Sequence, residues 1–120
     1  ALALQNDVQM LESARVLAEN TILDTKDSDQ WVTTVFQRIL VRNPKEEEKE
    51  VLEEYYTDAL DNFLKNKGNA EKLIAQGEYK RLDTDPAKTA ALMLTAQVIY
   101  NLDETITKEW WLFAQYFKRW

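Results

Sequence analysis

The scarcity of chain-breaking residues is the feature that most constrains the fold of this sequence. Its 120 residues contain two glycines and two prolines, and 45% of them are hydrophobic. An all-β fold needs many turns, and turns are built mainly from glycine, proline, asparagine and aspartate. The long unbroken segments therefore predict an all-α fold, with a core large enough to form without disulfides.

The first two predicted helices carry apolar residues at steps of three and four. The first is capped by Asn6 or Asp7 and runs to about Leu23. The second opens after the stretch "DTKDSDQ", which is rich in capping residues. It stops before Pro44, because a proline disfavours the helical conformation of the residue that precedes it.

The third predicted helix is the most clearly two-faced in the chain. Pro44 is well placed at its first turn. The helix runs to about Lys67 and ends at Gly68, since glycine fits the left-handed position that closes many helices. A short fourth helix from 69 to 76 is closed in the same way by Gly77. The apolar face of the third helix consists of Val51, Leu52, Tyr55, Tyr56, Ala59 and Phe63, and its acidic face consists of Glu46, Glu50, Glu54, Asp58 and Asp61.

The fifth predicted helix is apolar nearly all round, which is typical of a helix at the centre of a bundle. Thr84 or Asp85 caps it and Pro86 occupies its first turn. After "NLDETITK", the stretch "EWWLFAQYFKRW" predicts a last helix. The expected fold is a compact all-α bundle of five to six helices around the central segment of about 86–102, formed by a single domain over residues 1–120.

The absence of two residue types excludes more kinds of site chemistry in this chain than any motif does. Cysteine and histidine are both absent, which excludes disulfides, thiol chemistry, zinc sites built on these residues and a histidine general base. We expect no cofactor and assign no catalytic or metal-binding residue. The net charge of −6 disfavours nucleic acids and anionic membrane surfaces as partners, since both attract lysine and arginine.

Four stretches, taken in order, resemble the PSD-one domain, the C-terminal domain of unknown function fifteen-fifty-three of planctomycete-type exported proteins. They are "ALALQNDVQMLESARVLAENTI", "VFQRILVRNPKEEE", "AEKLIAQGE" and "AALMLTAQVIYNLDETITKE", and they cover about residues 2–109. The second stretch carries the family's Arg-x-Pro pattern at Arg42 and Pro44, with Lys45 where the family often has Thr. The fourth carries its terminal Asn-Leu-Asp-Glu signature at 101–104.

The resemblance implies a C-terminal fragment of a larger multidomain protein that is exported to the periplasm or the cell surface. The other domains of such proteins often include a cytochrome-like haem module, and the family has no established activity. The opening "ALALQND", which lacks a Met, fits such a fragment. We therefore expect a non-catalytic accessory or protein-interaction domain, whose partners are other domains of the parent protein or a second chain.

The polar residues after the fifth helix form the main candidate site. Asn101, Asp103 and Glu104 follow an apolar helix, and side chains of this kind commonly satisfy the unpaired groups of a helix end. The alternative is a carboxylate pair that holds a cation or a sugar hydroxyl, with Arg42 or Arg81 as countercharge. Arg42 is also expected to clamp Asp103 or Glu104, which would join two distant parts of the chain.

These carboxylates define the alternative function, a carbohydrate- or cation-binding domain that includes the possibility of hydrolysis. Such a domain would use Asp103 and Glu104, together with Glu78, as acid, base or cation ligand. Glycoside hydrolysis needs two carboxylates that face each other across ~5 to 10 Å, and adjacent residues rarely do so. The sequence favours a non-catalytic role but does not decide whether the chain is part of an enzyme.

Two surfaces are candidates for contact with a partner. The acidic face of the third helix is expected to be solvated, with a basic partner such as a cytochrome-like module as the alternative. The aromatic tail is expected to pack on its own bundle, with a second chain or a missing domain, insertion at a membrane surface and sugar stacking as further alternatives. The candidate interaction surface of the tail consists of Trp110, Trp111, Phe113, Phe117 and Trp120.

Overall fold

The computed structural model describes residues 8–77 and 80–102, and within these ranges the chain forms helices and short connections without any strand. The predicted all-α class is confirmed, and the stretch expected to form a last helix lies outside the described residues. No described helix is both long enough and apolar enough to cross a membrane. The elements are α1 Val8–Asp24, a 3-10 turn Ser28–Gln30, α2 Trp31–Leu40, α3 Glu46–Lys65, α4 Lys67–Ile74 and α5 Pro86–Tyr100.

Helix α5 is the centre of the bundle, as its composition predicts. It contacts each of the other four described helices. Ala90, Ala91 and Ala96 are fully buried on it, and their small side chains let neighbouring helices approach closely. The helix starts where predicted, because the Asp85 carboxylate accepts a hydrogen bond from the Lys88 N–H at 3.0 Å.

The core forms where the other helices turn their apolar faces toward α5. Its larger buried side chains are Trp31, Phe36, Leu52, Tyr55, Ile74, Leu92, Met93 and Ile99. Helix α3 has the two faces that its sequence predicts, since Val51, Leu52, Tyr55 and Ala59 are buried. Its predicted acidic face, formed by Glu46, Glu50, Glu54, Asp58 and Asp61, is exposed.

The junction between α3 and α4 lies earlier than predicted. Helix α3 ends at Lys65, and Gly68 lies inside α4 instead of closing α3. Asn66 serves both helices, because its N–H bonds to the Asn62 carbonyl at 3.0 Å and its side-chain oxygen accepts from the Asn69 N–H at 3.4 Å. An asparagine cap thus starts α4 directly after α3 ends and removes the need for a glycine closure.

Helix α2 ends in a conformation that its sequence does not favour. Val41 has φ 57° and ψ 36°, in the left-handed region, and is the one non-glycine residue with positive φ in the described part of the chain. This region is strained for a β-branched residue. The Val41 side chain is 86% exposed, so packing does not offset the strain.

Helix α4 spans Lys67–Ile74 with Ala75 as its C-cap, so it begins and ends two residues before the predicted 69–76. Gly77 therefore lies beyond the cap of α4 instead of closing it. Its φ of 93° is readily adopted by glycine alone, because a Cβ crowds the backbone there. A Cβ at this position would also overlap the Glu12 side chain of α1. Glycine is therefore favoured at this position mainly by its conformation, since the flexible Glu12 side chain can shift away from a Cβ.

Candidate functional site

Arg42 lies at the corner between α2 and α3, where the Glu48 carboxylate binds both terminal nitrogens of its guanidinium. Nη1 and Nη2 donate to the two Glu48 carboxylate oxygens at 2.9 and 3.0 Å. Nη1 also donates to the Asn43 carbonyl at 3.1 Å, and the guanidinium carbon lies 4.8 Å from the centre of the Phe36 ring. A two-pronged contact of this kind fixes the direction of the side chain as well as its charge.

Glu48 links this corner to the start of α3. One of its carboxylate oxygens accepts a hydrogen bond from the Lys45 N–H at 2.8 Å, which satisfies an amide that the helix start leaves unpaired. Burial alone would raise the pKa of Glu48. The hydrogen bonds from Arg42 and from the Lys45 amide, together with the positive charges of these two residues, outweigh burial and lower that pKa. Glu48 therefore stays ionised at neutral pH.

The sequence analysis missed Glu48 as the partner of Arg42. The signal for it was a glutamate three residues after the cap position, which is half of a capping box. This signal was missed because a capping box is recognised by Ser or Thr at the cap position, and this chain has Lys45 there. The predicted clamp from Arg42 to Asp103 or Glu104 remains a prediction, since both acids lie outside the described residues.

Asn101 closes α5 through its backbone and its side chain. Its N–H lies 3.2 Å from the carbonyls of both Gln97 and Val98, and its side-chain amide donates to the Gln97 carbonyl at 2.7 Å. This is the geometry that the helix-closing interpretation predicts for Asn101. Arg81, the alternative countercharge, lies within the described ranges and pairs with Glu71 at 3.6 Å. The remaining predicted site residues fall outside these ranges, namely Glu78, Asp103, Glu104, Trp110, Trp111, Phe113, Phe117 and Trp120.

A second charged pair, which the sequence analysis also missed, lies inside the bundle. Arg15 and Glu19 of α1 are 0% and 2% exposed, and Arg15 Nη1 donates to one Glu19 carboxylate oxygen at 3.0 Å. The other Glu19 oxygen accepts a hydrogen bond from the Leu82 N–H at 3.1 Å. Because buried charges must be paired and hydrogen bonded, this arrangement ties α1 to the loop that leads into α5.

A groove of about 510 Å³ opens between the 3-10 turn, α3 and the start of α5. The rings of Trp31 and Tyr56 lie along it and meet edge to face, with their centres 6.5 Å apart. The Trp31 indole N–H donates to the Thr25 carbonyl at 2.7 Å, which fixes the ring. Around these rings the lining is polar, with Ser28, Asp29, Gln30, Lys49, Glu53, Thr57 and Lys88.

Charged side chains lie near both aromatic residues of the groove. The Lys88 ammonium lies 5.9 Å from the centre of the Trp31 ring, within the range of a cation–π contact. Burial, with a contribution from the negative charge of Asp85, raises the pKa of Tyr56 to about 12. The phenol is therefore neutral at physiological pH and keeps its hydrogen as a donor.

The described residues do not bring acidic groups together as a metal centre requires. Among them, no group of three or more acidic side chains could hold a metal ion. Arg15 pairs with Glu19 within α1, and Arg42 pairs with Glu48 at the α2–α3 corner. These contacts define an all-α domain that is braced by internal ion pairs and bears one mixed aromatic and polar groove.

The comparison with known families gives a match for the first part of the chain. Residues 1–56 match the family described as "PSD1: Protein of unknown function (DUF1553)". The predicted resemblance is therefore confirmed for these residues, which include α1, α2 and the first half of α3, whereas the two resembling stretches after residue 69 lie beyond the match. No curated protein and no solved structure matches the chain. The family's function is unknown, as its description states.

Proposed function

We propose that this is a non-catalytic accessory domain that docks onto other domains of an exported parent protein or onto a second chain. The observation that carries the proposal is the use of the buried charges. Arg15 and Glu19 bind each other inside the bundle, and Arg42 and Glu48 bind each other at the α2–α3 corner. A catalytic carboxyl with a perturbed pKa normally faces a cleft, whereas the shifted Glu48 is engaged by a helix start and an arginine.

The acidic face of α3 supports docking to a basic partner. Its exposed carboxylates recur about once per helical turn at Glu46, Glu50, Glu54 and Asp58. Each pair of like charges at this spacing costs a few tenths of a kcal/mol in an isolated helix. The repulsion along this face therefore destabilises the helix slightly. A basic domain would relieve this repulsion, and the family resemblance makes a cytochrome-like module of the parent a suitable partner.

The test is binding of this domain to the purified remaining domains of its parent protein, measured by calorimetry at low and high salt. We expect binding that weakens at least tenfold from about 0.05 to 0.5 M salt, since exposed charges are screened over roughly 10 Å at 0.1 M. Reversing one charge on the acidic face with Glu50→Lys should weaken binding. The matched control is Asp83→Lys, which reverses an exposed charge in the loop before α5 and should leave binding unchanged.

Two results would contradict the accessory role. The first is the absence of any binding to the parent's other domains at low salt. The second is turnover of a substrate by the isolated domain that disappears on Asp103→Asn or Glu104→Gln. A rise in melting temperature with calcium, magnesium or an oligosaccharide, abolished by Asp103→Asn, would instead favour the alternative of a cation- or carbohydrate-binding domain.

A further inference from the structure

The groove along Trp31 and Tyr56 has a lining that suits one class of ligand. We infer that it binds a polypeptide segment carrying both a basic and an acidic side chain, supplied by the docking partner. The inference rests on the proposed accessory function and names a second contact for docking, beside the acidic face of α3. The charges, the rings and the size of the groove support it.

The lining of the groove carries as many positive as negative side chains. Asp29 and Glu53 supply two carboxylates, and Lys49 and Lys88 supply two ammonium groups. Within the described part of the chain, none of these four side chains forms an ion pair. A ligand of a single charge sign would be attracted by one pair and repelled by the other. A segment with both signs can pair with both, which is the complementarity that selects a partner.

The rings of the groove disfavour a sugar as its main ligand. Sugar binding by stacking needs an open aromatic face, but Trp31 is 6% exposed and the Lys88 ammonium lies over its ring. Peptide binding has no such requirement, because main-chain amides bond to polar side chains. Gln30 and Thr57 are exposed in the lining. The Gln30 amide offers both a donor and an acceptor, and the Thr57 hydroxyl, which donates to the Glu53 carbonyl at 2.9 Å, offers an acceptor.

The groove is also preformed and of suitable size. Trp31 is fixed by its bond to the Thr25 carbonyl and by the edge contact with Tyr56, so little side-chain freedom is lost on binding. The volume of about 510 Å³ lies within the range of sites that enclose small ligands or a few residues of chain. We expect weak binding of a short peptide and tighter binding when the peptide belongs to a docked domain.

The experiment is an NMR titration of the 120-residue chain with acetyl-Ala-Lys-Ala-Glu-Ala-amide. Three further peptides replace Lys, Glu or both by Gln, and cellohexaose serves as the sugar probe. We expect the peptide with both charges to shift the signals of the groove residues and to bind about fivefold more tightly than either singly charged peptide. The Trp31 indole N–H signal, assigned with Trp31→Phe, reports the groove directly.

Substitutions at exposed groove residues identify the contacts. Lys88→Gln should weaken only peptides that contain Glu, and Asp29→Asn only those that contain Lys. Lys72→Gln, on the exposed side of α4, is the matched control and should change neither. Because all three residues are exposed, the variants should retain the melting temperature of the unchanged chain, which is checked by circular dichroism.

Several results would overturn the inference. They are equal shifts with the uncharged peptide, shifts confined to residues outside the groove, and groove shifts with cellohexaose but with no peptide. The two proposals fail separately. If the parent's domains bind and that binding survives Lys88→Gln and Asp29→Asn, the accessory function stands and the groove is not its contact. If those domains do not bind at all, the accessory function fails whatever the peptides do.

Discussion

Removal of the Glu19 carboxylate should cost this domain a large part of its stability. In Glu19→Leu, Arg15 loses the acceptor that Glu19 provides at 3.0 Å and the Leu82 N–H loses the acceptor at 3.1 Å. Breaking a buried ion pair costs about 3–5 kcal/mol, and an unsatisfied buried amide costs about 1–3 kcal/mol. Since the two losses share one carboxylate and are not additive, we expect about 3–5 kcal/mol in total, against roughly 5–15 kcal/mol for a whole domain.

Removal of both charges should restore most of that loss. In Arg15→Met with Glu19→Leu, two apolar helix-forming side chains of similar size replace the pair, and such replacements are often neutral or stabilising by about 1–4 kcal/mol. The Leu82 amide still lacks its acceptor, so we expect the double variant within about 2 kcal/mol of the unchanged chain. The two substitutions should therefore be strongly coupled, and their combined effect should be smaller than that of Glu19→Leu alone.

The assay is urea unfolding followed by circular dichroism and by tryptophan fluorescence. With a slope of roughly 1–3 kcal/mol/M, Glu19→Leu should lower the midpoint by about 2 M. The matched control is Asp24→Asn, which breaks the exposed contact with Arg38 at 3.5 Å and should cost at most about 1 kcal/mol. The reasoning is refuted if Glu19→Leu costs no more than Asp24→Asn, or if the double variant is less stable than Glu19→Leu.

Three further predictions concern the strained residue Val41, the positive-φ residue Gly77 and acid stability. Val41→Gly should raise the unfolding free energy by about 0.5–1 kcal/mol, because relief of left-handed strain exceeds the added freedom of the unfolded chain; a lower midpoint in urea would contradict this. Gly77→Ala should lower it by more than about 1 kcal/mol, since the new Cβ is strained and meets Glu12; an unchanged melting temperature would contradict it. The pKa of Glu48 is lowered on folding, so its contribution is present above its ordinary pKa of 4.5 and is lost as the pH falls through the lowered value. Glu48→Gln should therefore flatten the loss of stability in acid, whereas Glu47→Gln, at the exposed neighbour, should not.

The helices were predictable because their signals are local. Asp85 and Pro86 mark the start of α5, and the alternating faces of α3 follow directly from the spacing of its apolar residues. The end of α3 was wrongly predicted at Gly68 from the same kind of local signal, because asparagine and glycine both end helices. Only the three-dimensional course of the chain shows that Asn66 ended α3 first.

The ion pairs were less predictable because burial is a property of the whole fold. Arg15 and Glu19 stand four residues apart, a spacing that on most helices marks an exposed pair. Their burial depends on the packing of α1 against α5 and on an amide at Leu82 that is 63 residues away from Glu19. The groove escaped prediction for the same reason, since its lining comes from the 3-10 turn and from α2, α3 and α5.

The contacts that stabilise the fold and the charges of the groove are distributed differently along the chain. The corner needs the particular side chains of Phe36, Arg42 and Glu48, and all three lie within the residues that match the family. Glu19 reaches beyond the match only to a backbone N–H, which every residue except proline provides. The groove, in contrast, takes Lys88 from outside the match. The other three charges of the groove, Asp29, Lys49 and Glu53, lie within the match, so under the proposed peptide binding a change at Lys88 alone would weaken the contact with an acidic side chain and leave the corner intact.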